Sequence, residues 1–236
     1  VESREQLDED SYFQELYQDH TSDELDEIYN CINKNTVIER PKLLYNHKND
    51  NYVLWLHSDD STEKNTYKYD VGMAGVAVSD SPAGPFKFLG RYRLSQCPDE
   101  QIDCFPSSKG EARDMNLFQD EDGTAYVTYT SENNKTLYIS KLNEDYTYLS
   151  TDPEKAVYKE DFIRIFPGAM REAPSYLKAT MEDTILCPPA PPAGCPTRPE
   201  SGPQMKSSVT GKMMETHASA QMPTLPLTPR APAFSR

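Results

Sequence analysis

The chain has no stretch approaching the roughly twenty consecutive apolar residues that a bilayer-crossing helix needs, so no membrane partner is expected. It also has no basic stripe. Lys and Arg number 24 against 38 Asp and Glu, a net charge of −14, and nothing is available to displace counterions from phosphates, so nucleic acid is not expected as a partner. Cysteine is scarce and unpatterned. Cys31, Cys97, Cys104, Cys187 and Cys195 form neither a C-x-x-C pair nor a zinc spacing, and an odd count leaves at least one unpaired. Cys97 and Cys104, in the polar loop Gln96 to Ser108, either close a small disulfide or stay as two thiols. The four histidines make no metal constellation, and neither a metal nor a cofactor is expected. The sequence begins at Val1 rather than methionine, so the lack of a signal peptide carries no information.

What is present is strand-forming sequence, repeated. Three times an arginine beside a carboxylate stands five residues ahead of an aromatic: Glu39-Arg40 before Tyr45, Arg113-Asp114 before Phe118, and Arg171-Glu172 before Tyr176. After Arg40 come Pro41 to Tyr45, the polar turn His47 to Asp50, and the apolar run Tyr52 to Leu56. After Arg113 come Met115 to Phe118, the turn Asp120 to Gly123, and Ala125 to Tyr129. Each copy reads as strand, turn, strand, with a third strand at Gly75 to Ser79 in one and Thr136 to Ser140 in the other. Pro82 to Phe86 reads as a turn ahead of a short strand, Phe86 to Leu89. Units of this size made only of strands and turns point to propeller blades, with a β-sandwich as the rival. Acids at equivalent points of such units converge on one axis, as glycosidic bond cleavage requires, unless each simply pairs with its neighbouring arginine. Alternation along a strand favours the first reading, since adjacent residues point to opposite faces. His57, after the apolar strand, either faces the axis or is a satisfied structural histidine; Trp55 either stacks on a sugar ring or packs between blades.

The two ends differ from this middle. Over the first 30 residues, eleven acids stand against Arg4 alone, with Leu7, Phe13, Leu16, Leu25 and Ile28 interleaved; residues 1–35 read as a solvated acidic lead-in able to form short helical turns. From Ala179 to Arg236 the 58 residues hold 11 of the 19 prolines and one of the 24 aromatics, Phe234, so they cannot build blades as written. The three segments are therefore the lead-in, a strand-rich domain at 36–178, and a Pro-rich disordered tail at 179–236. Asn134-Lys135-Thr136 is an acceptor site for a glycan if the chain is secreted.

Several phrases of the middle segment resemble glycoside hydrolase family 43: Val37 to Lys42 with Leu44 to Asn46, Gly75 to Pro82 with Gly84 to Phe86, Arg113 to Met115 with Leu117-Phe118 and Asp120 to Tyr126, Ser131 to Asn133, and Arg171 to Pro174. They occur in the family's order and are most similar to its exo-β-1,3-galactanase-like branch. The resemblance implies an all-β, incomplete five-bladed β-propeller, about two full blades plus the start of a third, with irregular N- and C-terminal segments. It implies an inverting, exo-acting hydrolase of plant-type polysaccharide, β-1,3-galactan first, working as a secreted monomer. Glu172 corresponds to the general acid, Asp114 to the acid that tunes it, and Glu39 to an axial carboxylate that binds substrate or positions water; the base has no counterpart. Trp55 and His57 are the candidate sugar contacts. The alternative is a non-catalytic carbohydrate-binding propeller or an inactive fragment. Read in a shifted frame, the codons of Thr180 to Pro189 can spell a blade hairpin, which makes the tail an expected frameshift product.

Overall fold

The computed structural model describes residues 1–60, 69, 71–98, 103–107 and 109–178, and the backbone of two short strands at 184–187 and 206–207. Three helices lead: α1 (Arg4–Glu9), α2 (Ser11–Leu16) and α3 (Ser22–Ile32). Each starts where a polar side chain takes up an orphan N–H: Ser3 accepts from Gln6, Asp10 from Tyr12, and Thr21 from Glu24. At α3 the Glu24 carboxylate returns the bond to the Thr21 backbone, completing a capping box. Leu25, Ile28 and Cys31 recur at helical spacing on α3 and are buried.

Those side chains do not face water, as a solvated lead-in would. Together with Leu7 and Tyr17 they pack on Ala77 and Phe88 of the first sheet, and the Phe88 N–H donates to the Tyr17 hydroxyl at 3.1 Å. The expectation for residues 1–35 is corrected accordingly. High acid content concealed one apolar face, and that face docks.

The first sheet runs β1 (Val37–Asn46), β2 (Asn51–Asp59), β3 (Met73–Ser79), β4 (Lys87–Tyr92), each antiparallel to the next. The second repeats the plan with β5 (Arg113–Gln119), β6 (Ala125–Ser131), β7 (Thr136–Lys141) and β8 (Phe162–Ile165). A third begins with β9 (Ser175–Lys178), paired to β10 (Thr184–Cys187) and then β11 (Lys206–Ser207). The first hairpin turn of each complete sheet carries the expected chemistry. Asn46 caps one by accepting from the N–H groups of Lys48 and Asn49, and Gly123, at φ 86°, supplies the left-handed step of the other.

Both complete sheets are simple meanders, and their first strands, β1 and β5, lie side by side. That is blade geometry, with inner strands around an axis, rather than the Greek-key crossing of a sandwich. The period-2 faces then sort themselves. Val53 and Trp55 of β2 and Ala74 and Val76 of β3 point at Met115, Leu117, Val127, Tyr129 and Tyr138 of the second sheet. The opposite face of the first sheet, with Ala77 and part-buried Leu54, carries the helices.

The pairing of β9 with β10 crosses the boundary that composition places at 178. The rest of the proline-rich tail, and with it the disorder and shifted-frame expectations, lies outside the described residues.

Candidate active site

The inner strands are not regular where the acids sit. Pairing of β1 with β2 jumps between Glu39 and Lys42, and that of β5 with β6 between Arg113 and Asn116, so each inner strand carries a bulge. Arg40 (φ 53°) and Asp114 (φ 34°) take the left-handed step, and Ala173 (φ 56°) takes it again ahead of β9. A non-glycine residue held there costs on the order of 1–3 kcal/mol and persists only when its surroundings fix it.

Two sequence expectations change as a result. Strict alternation fails at the bulges, so Glu39 and Arg40, and likewise Arg113 and Asp114, all reach the same cleft. The repeat also shifts by one residue: Arg40 is equivalent to Asp114, and Glu39 to Arg113, not arginine to arginine. Opposite charges therefore meet at the axis. Arg40 donates from Nε to Asp114 Oδ1 at 3.1 Å and from Nη2 to Oδ2 at 3.3 Å, a two-pronged contact between blades.

Glu172 is brought to the same cleft by β5. The Ala173 N–H donates to Asp114 Oδ2 at 3.0 Å, and Asn116 Nδ2 donates to the Pro174 carbonyl at 2.9 Å, so two side chains of the second sheet hold the backbone on either side of the turn after Glu172. Glu39, Asp114 and Glu172 line one open cleft of about 380 Å³. Glu39 and Asp114 are not paired with the arginines next to them in sequence: Asp114 takes Arg40, while Arg113 turns inward to Glu111 (2.6 Å) and Asp59 (2.9 Å).

Asp59 anchors this side of the cleft. It is fully buried, and its oxygens accept from Val71 N–H (2.7 Å), Gly72 N–H (2.9 Å), Arg113 and His57 Nε2 (2.8 Å). Burial pushes its carboxyl up, but the bonds from His57, Gly72 and Val71 and the Arg113 charge outweigh that and hold it below the usual range. His57 is thereby fixed, 2% exposed, with Nδ1 at 3.7 Å from Glu39 Oε2. Tyr69 stacks on His57 and donates its hydroxyl to Glu39 Oε1 at 2.8 Å, an acceptor that raises the phenol above its ordinary value.

Trp55 does not belong to this cleft. It is 0% exposed and donates Nε1–H to the Tyr146 carbonyl at 2.7 Å, deep between the sheets. The expectation of Trp55 as a sugar contact is corrected: it lies on the face of β2 that packs against the second sheet, where its area is worth more than at a wet rim.

The far wall comes from Asn133 and Asn134, beyond β6. Asn133 is held by Glu111, which accepts its N–H at 2.7 Å, and by the Pro106 carbonyl, which accepts from its Nδ2 at 2.6 Å. Asn134 Oδ1 accepts from the Thr130 hydroxyl at 2.8 Å, and the Thr136 hydroxyl is buried against Glu132, so the acceptor asparagine of the glycan motif is part of the cleft wall and its threonine is buried behind it. Cys97 and Cys104 are joined by a disulfide. It closes the loop whose Asp103 and Phe105 bind Arg164 and Glu132. Cys31 is a free, buried thiol, and burial raises its pKa.

Sequence reasoning passed over Tyr69, which sits in no strand pattern, and Asp59, one polar residue at the end of an apolar run. It also placed the histidines in no metal constellation. The structure brings ligand atoms of Glu39, His57 and Asp114 within 4.8 Å of one another, a spacing a cation could bridge, although the Arg40 guanidinium on Asp114 puts positive charge in the same space.

Comparison with known proteins gives this arrangement a family. The profile described as Glycosyl hydrolases family 43 matches residues 39–181, and the chain belongs to that family. No curated protein matches the chain. Among solved structures it is similar to a family 43 β-1,3-galactosidase with galactodeoxynojirimycin, at 31% identity, TM-score 0.54, over 66% of this chain and 50% of that one. It is also similar to the exo-β-1,3-galactanase of Clostridium thermocellum (28%, TM-score 0.52, 71% and 32%). A third likeness is to that of Phanerochaete chrysosporium with β-1,3-galactotriose (29%, TM-score 0.51, 69% and 31%). The chain thus spans half or less of the length of these relatives. The all-β, partial-propeller expectation agrees with these likenesses.

Proposed function

We propose that the protein is a glycoside hydrolase acting on the ends of β-1,3-galactan or a related plant-type polysaccharide. The observation that carries the reading is the convergence of Glu39, Asp114 and Glu172, one from the inner edge of each successive sheet, on a single open cleft. The family and the galactan-acting relatives named above support the substrate class. Glu172 is the general acid, because it lines the cleft without an ion pair among the described residues and so stays free to carry and deliver a proton. Asp114, fixed by Arg40 and by the Ala173 N–H, positions Glu172 and sets the field around it. Glu39, held by Tyr69, binds substrate or water. Inverting, exo-acting cleavage by a secreted monomer completes the proposal, with the base unassigned; an inverting site needs acid and base roughly 6.5–9.5 Å apart to admit water.

The cleft is walled by two sheets and the start of a third, and that openness favours a second reading, carbohydrate binding without turnover. Glu172→Gln separates the two. On β-1,3-galactooligosaccharides the enzyme reading expects hydrolysis to fall by about 10²–10⁴-fold with binding retained. A wild-type chain that binds the sugar and never cleaves it sinks the catalytic role and leaves the binding one.

A further inference from the structure

Glu172 sits on a backbone that does not support itself. Between β8 and β9, φ is positive at Phe166 (52°), Gly168 (75°), Met170 (48°) and Ala173 (56°), a run of left-handed steps that persists only where outside contacts fix it. Downstream of Glu172 those contacts are Asp114 on the Ala173 N–H and Asn116 on the Pro174 carbonyl. Upstream the chain turns through Pro167 and Gly168, closed by the Ala169 N–H donating to the Phe166 carbonyl at 3.1 Å.

Against that turn stands Phe105. A β-carbon added to Gly168 would lie 3.1 Å from the Phe105 Cζ, so the ring rests on the glycine. Lys135 Nζ lies over the same ring, 5.0 Å from its centre, and Lys135 directly follows Asn133 and Asn134 of the cleft wall. One ring thus links the acid's segment to the far wall. The loop carrying it is itself fixed. Phe105 N–H donates to Glu132 Oε2 at 2.9 Å, the Pro106 carbonyl accepts from Asn133 Nδ2 at 2.6 Å, Asp103 Oδ1 accepts from Arg164 Nη1 at 2.9 Å, and Cys104 is tied to Cys97.

We infer that Phe105 is a positioning residue for Glu172, with the Cys97–Cys104 disulfide as its clamp, so that the competence of the cleft depends on the redox state of that bond. The inference rests on the hydrolase reading, with Glu172 as the acid. Both cysteines are half-buried, within reach of a small dithiol. In exchange with such a reductant the S–S bond breaks, each protein sulfur gains one electron and one proton, and the dithiol closes to its own disulfide.

The test compares the full chain with two variants: Phe105→Ala, which removes the ring and keeps the backbone bond to Glu132, and Phe105→Leu, which restores an apolar side chain. On β-1,3-galactobiose, kcat of Phe105→Ala falls about 10–100-fold, the cost of misplacing a reacting group by about an ångström, while KM changes less than about twofold. Hydrogen exchange gives a readout independent of turnover: the Ala169 and Ala173 amides lose protection while those of β6 keep theirs. Phe105→Leu recovers most of both losses. Dithiothreitol on the wild type, with two new thiols counted by mass after alkylation, gives the same local pattern, and reoxidation reverses it. Unchanged Ala169 exchange in Phe105→Ala, or local loosening with kcat unchanged, overturns the inference and leaves the hydrolase reading standing. Loss of protection spread evenly through β6 overturns it too, since the ring then only holds the fold. Reduction that changes neither kcat nor Ala169 exchange overturns the clamp. No hydrolysis by the wild type overturns the hydrolase reading and the acid's role with it, while the exchange data still decide whether Phe105 braces the segment.

Discussion

The two complete sheets share one scaffold and spend it differently. In each, the inner strand bulges at the same place, and in each a carboxylate stands at the end of the second strand: Asp59 as the last residue of β2, and Glu132 just past β6. Glu132 is surrounded by donors. It accepts from Phe105 N–H, the Thr136 and Tyr138 hydroxyls, and Arg164 Nε and Nη2, and the residue paired with Arg113 at the bulge is the small Thr130. Asp59 is equally saturated, but the residue paired with Glu39 at the first bulge is His57, whose far nitrogen is buried without a hydrogen-bond partner among the described residues. The second sheet satisfies its network; the first leaves one buried imidazole nitrogen without a partner among the described residues. Repetition thus supplies rigidity twice, with the network fully paired at only one of the two copies.

The sharpest way to break this comparison is Glu132→Ala. Among the described residues Arg164, its side chain 2% exposed, would keep only the half-exposed Asp103 as an acidic partner. Removing one member of a buried pair strands the other charge, at a cost of about 3–5 kcal/mol. Urea denaturation should show that loss, with Glu132→Gln milder. A loss under about 1 kcal/mol would mean the network is wetter than drawn.

Asp59 gives a smaller effect with a pH signature. Its carboxyl is held below its unfolded value, near 3.9. Such a group stabilises the fold fully above that value and ceases to do so as pH falls through the folded pKa. Asp59→Asn should therefore cost about 1–3 kcal/mol at neutral pH, and the gap to wild type should narrow as urea titrations move below about pH 4. A constant gap from pH 7 to 3 would show that Asp59 does not carry the acid arm of the stability curve.

Much of the scaffold was legible in sequence, because hairpins announce themselves locally. Asn46 to Asp50 and Asp120 to Gly123 carry turn residues between β-branched and aromatic runs, and both appear as hairpins within a residue or two of expectation. The bulges were not legible. A one-residue slip leaves composition untouched yet changes every facing, so the Arg40 to Asp114 contact could not be read from spacing. Trp55 was ambiguous for a related reason: period 2 says which residues share a face, not whether water or another sheet covers it. The convergence of Glu39, Asp114 and Glu172 was foreseeable because the acids recur with the inner strands. Their actual partners were not, since Arg40 reaches Asp114 across a gap of 74 positions and Tyr69 reaches Glu39 across 30.

The helical layer offers the gentlest probe, because it tests whether the first sheet's second face is as firmly covered as the face against its neighbour. α3 begins at the capping box of Thr21 and Glu24, both exposed, so Thr21→Ala changes the helix end without opening the core. Loss of such a cap costs about 1 kcal/mol when the helix belongs to the cooperative unit. If α3 unfolds with the sheets, the global stability of Thr21→Ala falls by that amount, and amides of Leu25, Ile28 and Phe88 lose hydrogen-exchange protection together. If the layer frays on its own, only α3 amides lose protection and the global transition stays put. The shared bond from Phe88 N–H to the Tyr17 hydroxyl and the burial of Leu25 and Ile28 against Phe88 predict the first outcome, with the acidic segment a structural layer of the blade.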